Sequence, residues 1–191
     1  MNNTFLKFAA VIFIAATTFA ACKKVDNETA PVPEEQELIT TVKLVLTDGS
    51  GNAKTYAYKV ENGFGDNPGT ISVDTLLLEP NKAYDAQVQV LNEKANPAEE
   101  ITEEVMTENE DHLFVFESTP ASGDGSVAMS DGSKDAAGKA FNQKIKLTAA
   151  SAGKGSLTVT LKHLPTNKAA TTASAAGGET DAEAIFPVRI Q

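Results

Sequence analysis

The sequence predicts an all-β fold: an immunoglobulin-like antiparallel β-sandwich of about nine strands with one inserted acidic α-helix. Three observations predict it. Apolar residues recur at a period of two in short runs between Leu38 and Ile190, the signature of half-buried strands. Clusters of Gly, Asn, Asp and Pro interrupt those runs at short intervals, as turns do. Helix-start signals converge at one place only, around Asn96.

Taken in order, Leu38, Val42, Leu44 and Leu46 share one parity against Thr41, Lys43 and Thr47, and Asp48-Gly-Ser-Gly-Asn52 follows as a turn. A second strand sets Tyr56, Tyr58 and Val60 on one face, and the loop 61–69 breaks it. Ile71 to Leu78 reads as a third strand, stopped by Pro80. In the fourth, Tyr84, Ala86, Val88 and Val90 face inward while Asp85, Gln87 and Gln89 face out. Asn96-Pro97-Ala98-Glu99 then supplies an N-cap, a proline at the first helical position and an early acid, so the spacing predicts a helix to about Asp111. Its apolar face is narrow, Ile101 and Val105, and its many acids have no Lys or Arg to offset them. Leu113 to Glu117 is continuously apolar and implies burial on both faces. Short strands follow at Val127–Ser130, Phe141–Leu147 and Leu157–His163, and the last places Phe186, Val188 and Ile190 inward. From Thr166 to Glu183 the chain is mostly Ala, Thr, Ser and Gly, which predicts a long mobile loop at the rim.

The N-terminal region predicts an address. One cation, Lys7, precedes the charge-free run from Phe8 to Ala21; its length suits an exported signal rather than a membrane span. Cys22 stands directly after Ala20-Ala21, in the stretch Thr18-Phe19-Ala20-Ala21-Cys22-Lys23-Lys24. That arrangement looks like a bacterial lipobox, in which the thiol is acylated and becomes the first mature residue. An ordinary secretory signal with an incidental cysteine is the alternative. The expected organisation is therefore a signal peptide over 1–21, the lipidated Cys22 with an extended acidic and proline-containing tether over 22–37, and the β-sandwich over 38–191. The tether can lift the domain roughly 45 Å from the bilayer. Its lysines followed by acids resemble the export tags of lipoproteins flipped to the cell surface.

Cleavage before Cys22 removes Lys7 and no acid, leaving 15 Lys and Arg against 26 Asp and Glu, a formal charge of −11. A polyanion is repelled by such a chain, which excludes nucleic acid as the expected partner. Cys22 is the only cysteine. Once it is acylated, the folded body has no thiol for a disulfide, a nucleophile or a metal, so its stability must come from packing.

Four stretches carry a family likeness: ELITTVKLVLT; VLNEKANPAEEITEEV with EDHLFVF soon after; SLTVTLKHLPTNK; and GGETDAEAIFPVRI. They are similar to small Bacteroidetes-type lipoproteins often labelled "type 1 periplasmic binding fold superfamily protein". The likeness spans nearly all of Glu37 to Gln191, departing at Glu61–Gly69, where relatives tend to be richer in Asp. That label asks for two α/β lobes, which one helix in this length cannot build. What the resemblance implies is a lipoprotein of the outer membrane, on its periplasmic or cell-surface face, in the company of a TonB-dependent receptor.

Both histidines lie where a site can form. Glu108 and His112 are four apart near the predicted helix end, and His163 ends a strand on its apolar parity. If the helix docks at that rim, Glu108, His112 and His163 can converge on Zn²⁺, with Glu179 or Asp181 as a further donor. The structural alternatives are a helix-end His explained by the dipole and its i,i+4 partner, and a half-buried ring at a strand end. Asp48–Asn52, Asp124-Gly125 and Asp131–Asp135 carry oxygen donors that suit Ca²⁺ in kind, but none follows the twelve-residue calcium loop. Catalysis is not expected: there is no G-x-S-x-G elbow, no free thiol and no zinc-protease helix. The expected function is thus a lipid-anchored binding lipoprotein serving a transporter, with a metal ion or small ligand as its cargo. A structural or protein-interaction lipoprotein is the alternative, and a carboxylate hydrolase a third class.

Overall fold

A computed structural model describes residues 38–191. The signal peptide, Cys22 and the tether lie outside the described residues. Two sheets face each other, one of seven strands and one of four. The first contains β1 (Thr41–Asp48), β2 (Ala53–Val60), β3 (Ile71–Val73), β5 (Ala83–Asn92), β8 (Val127–Ser130) and β9 (Lys144–Ala149) in the order β3-β2-β1-β5-β9-β8, with β6 (Glu99–Glu100) pairing β5. The second runs β4 (Leu76–Leu78), β11 (Glu179–Ile190), β10 (Gly153–His163), β7 (His112–Thr119). All pairings are antiparallel except β4 with β11, which is parallel.

The alternation read from the sequence is what builds the core. Leu44, Val88, Leu157 and Phe186 are completely buried between the sheets, each contributing roughly 1.5–3 kcal/mol by leaving water. β7 is buried on both faces, as its unbroken apolar run requires. Phe114 and Phe116 enter the main core, whereas Leu113 and Val115 form a second cluster with Ala176 on the outer side of the sheet.

Three elements depart from expectation. The helix predicted from Asn96 to Asp111 shrinks to α1 (Thr102–Thr107), whose N-cap residue, Ile101, makes no side-chain cap. Tertiary pairing overrides the start signal: Glu99 and Glu100 form β6 against Asn92 and Leu91. Thr102 then continues the ladder with its hydroxyl, which accepts from Val90 N at 2.7 Å and donates to Val90 O at 3.2 Å. The expected rim loop 166–183 is instead a cover. It carries α2 (Ala173–Ala176), capped by Thr172 Oγ1, and its small alanines fit close over Leu113 and Val115. β11 begins earlier than expected, at Glu179. Finally, Ile71–Leu78 is two strands in different sheets, β3 and β4. Asp74 marks the break: its amide donates to Ala57 O at 3.0 Å and its carboxylate accepts from Ala57 N at 2.9 Å.

Candidate functional site

The two histidines meet at one end of the four-stranded sheet. β7 and β10 pair antiparallel with His112 directly opposite His163, so the rings stack, with centroids 4.9 Å apart and planes 10° apart. His112 is buried and His163 half-buried. The His112 ring nitrogen Nδ1 lies 3.0 Å from the Glu108 carbonyl. A carbonyl only accepts, so Nδ1 donates this bond, and Nε2 lies on the other side of the ring.

What faces Nε2 is decided by a bulge. In the β10–β11 register Leu161 pairs with Ala182 and Lys162 with Thr180, leaving Asp181 as the extra residue. A bulge re-aims a side chain, and here it carries the nearly buried Asp181 carboxylate to 3.8 Å from His112 Nε2. That separation is too long for a direct hydrogen bond. It falls within the span that a cation holding each group at about 2.0–2.1 Å can bridge.

Of the five residues expected to gather here, His112 stacks on His163 and lies 3.8 Å from the Asp181 carboxylate. Glu108 takes part through its main chain: α1 ends at Thr107, so the expected helical i,i+4 pair of side chains is replaced by the carbonyl contact. Glu179 stands opposite His163 in the register, with its side chain exposed. Among the described residues no group of three or more His, Cys, Asp and Glu side chains is arranged to hold a metal ion.

A residue that no local pattern singles out secures this end. Lys168, nearly buried, donates to Asp135 Oδ2 at 2.6 Å, Asn109 O at 2.6 Å and Glu110 O at 3.0 Å. It thereby ties the cover segment to the loop 131–140 and to the turn that delivers His112. Lys168 and the amide of Lys139 hold the Asp135 carboxyl below its ordinary value. The partners are 33 residues apart, so no local spacing announces them.

The loop Asp48–Asn52, weighed for calcium, is a self-contained turn. The Asp48 carboxylate accepts from the amides of Asn52 and Ser50 at 3.0 and 2.8 Å, which pulls its pKa down to about 2. A shallow groove of about 460 Å³ crosses the outer face of the seven-stranded sheet, lined by Val45, Gln87, Asp131, Lys144 and the Asp85–Lys146 ion pair. Of the candidate residues, Asp131 and Ser133 from the Asp131–Asp135 stretch line it, and those of the histidine end do not. Among the described residues no helix is long and apolar enough to cross a membrane.

In comparisons with known proteins, no family, no curated protein and no solved structure matches the chain.

Proposed function

We propose that this chain is a lipid-anchored binding lipoprotein of the outer membrane, held through acyl chains on Cys22 and serving a TonB-dependent receptor without catalysing a reaction. The observation that carries the reading is the placement of the only cysteine, directly after a charge-free run ending Ala20-Ala21 and before a polar tether. The receptor partnership rests on the resemblance of the body to small lipoproteins found beside such receptors. Mass spectrometry of the N-terminal peptide should find a diacylglyceryl group on Cys22, and Cys22→Ser should move the protein from the detergent to the aqueous phase on Triton X-114 partitioning. An unmodified Cys22 behind a cut elsewhere would remove the anchor and the address together.

A second reading, capture of a cation such as Zn²⁺ at the histidine end, is favoured by the 3.8 Å gap between His112 Nε2 and Asp181 Oδ2. Binding requires the stacked rings to splay so that His163 can add a donor, with Glu179 next to it. Zinc should then raise the melting temperature of the wild type and leave that of the His112→Ala, His163→Ala double variant where it was. An equal response in both sinks this reading.

A further inference from the structure

The search for a surface that needs a partner leads to the outer edge of the seven-stranded sheet. β3 is the terminal strand there, and two hydrogen bonds fix the phase of its pairing with β2: Glu61 N to Thr70 O at 2.9 Å and Asp74 N to Ala57 O at 3.0 Å. Alternation along an antiparallel ladder then turns the Ser72 groups towards Lys59 and points the N–H and C=O groups of both Ile71 and Val73 away from the sheet. Their side chains lie on the parity of Tyr58 and Val60, the face that elsewhere covers the core. The second sheet leaves them uncovered: Ile71 is 48% exposed and Val73 38%. Beside them Tyr58 stacks on Phe64 at 5.9 Å and meets the edge of Phe186 at 6.0 Å, so the opening between the sheets is floored by aromatic rings.

Native sheets blunt exposed edges by keeping them very short, with lysine or proline on the strand, or with a cover. β3 is only three residues long, and among the described residues it has neither lysine nor proline and no strand beyond it. By contrast the neighbouring β4 is closed by a side chain, for the Tyr56 hydroxyl donates to Leu77 O at 3.1 Å and accepts from Leu77 N at 3.3 Å. Charge narrows the occupant. From Glu61 to Glu79 the chain carries Glu61, Asp66, Asp74 and Glu79 and not one Lys or Arg; Glu79 is held by Lys82 at 2.8 Å, while Glu61 and Asp74 accept main-chain amides and keep their charge towards the edge. Lys59, next to β3, is already held by Glu93 at 2.7 Å. A second copy of this edge would set acids against acids.

We propose that the free edge of β3 is a docking site for an extended segment of a partner protein that alternates apolar and basic residues and adds to the sheet as one more strand. Main-chain bonds to Ile71 and Val73 supply affinity, the apolar side chains fill the opening beside Tyr58 and Phe64, and the basic ones meet the acids of 61–79. This deepens the partner reading above, and rests on it only for where the partner is met; binding is measured without reference to the anchor.

The test uses the chain purified in detergent with its N-terminal region intact, and a synthetic peptide of about ten residues alternating valine and lysine, against a valine–glutamate counterpart. The basic peptide should slow amide exchange at Ile71 and Val73 by about tenfold or more, and the acidic one should leave both unchanged. Val73→Pro, which removes an outward N–H at an edge position, should abolish the protection. Should that variant unfold, the pair Ile71→Lys and Val73→Lys decides, since it must repel the basic peptide. The proposal is overturned by no protection with the basic peptide, by equal protection with the acidic one, or by protection that grows with protein concentration alone, which would make the occupant a second copy. None of these outcomes bears on Cys22, so the two readings fail separately.

Discussion

Asp135 is one of the residues that tie stability to acid pH. Lys168 lowers its pKa below the ordinary 3.8, so the unfolded chain takes up the proton first as pH falls. The contribution is therefore fully present above about pH 3.8 and is lost as pH drops through the lower folded value. Asp135→Asn should melt well below the wild type near neutrality, and the gap should narrow in melting curves taken progressively below about pH 3.8. A gap that stays constant with pH would mean that packing, not charge, is what the substitution disturbs. In the core, Phe186 is fully buried and touches Tyr58 edge-on, so Phe186→Ala should cost about 3–5 kcal/mol in urea unfolding. Ile185, its exposed neighbour on the other face, is the control: Ile185→Thr should stay within about 0.5 kcal/mol.

Among the elements, two devices replace what local sequence leads one to expect. Thr102 stands in for a strand where β6 gives way to α1, through both hydrogen bonds to Val90. Thr102→Val keeps the shape but strands the buried Val90 N–H, and should destabilise by about 1–3 kcal/mol in equilibrium denaturation. The cover segment hangs on the pair Gly177 and Gly178, with φ of 68° and 65°. A Cβ on Gly178 would run into the carbonyls of His163 and Leu164. Gly178→Ala should accordingly loosen the cover before it unfolds the sandwich: protease cleavage within 165–178 should quicken while the amides of Leu157 and Val159 stay protected. Uniform loss of protection would place the cover inside the cooperative core instead.

At the scale of the molecule, a body built from two sheets has an end where the histidines stack and an edge at β3. The alternation of Val42, Leu44 and Leu46, or of Leu157, Val159 and Leu161, was enough to fix strands, inner faces and the sandwich, because a period of two can bury only one face of a sheet. The double burial of Leu113–Phe116 was legible from its unbroken apolar run, whereas the histidines meet through the pairing of β7 with β10 and not through a docked helix. The helix was overestimated since capping signals are worth only about 1 kcal/mol, less than the pairing of Glu99 and Glu100 with β5 and the double bond of Thr102 to Val90 contribute together. The Ala-rich stretch packs because a flat apolar patch, Leu113 and Val115, lies beneath its small side chains, which local composition does not reveal. Asp181 came to His112 by a bulge, Lys168 to Asp135 across distant loops, and β3 to a free edge by a switch of sheets at Asp74. By itself the sequence determined the class of fold and the faces of its strands, since these follow from local periodicity. Only the tertiary structure decided which side chains meet at the rim and which edge stays open, since register, bulges and sheet order are set by residues far apart in the chain.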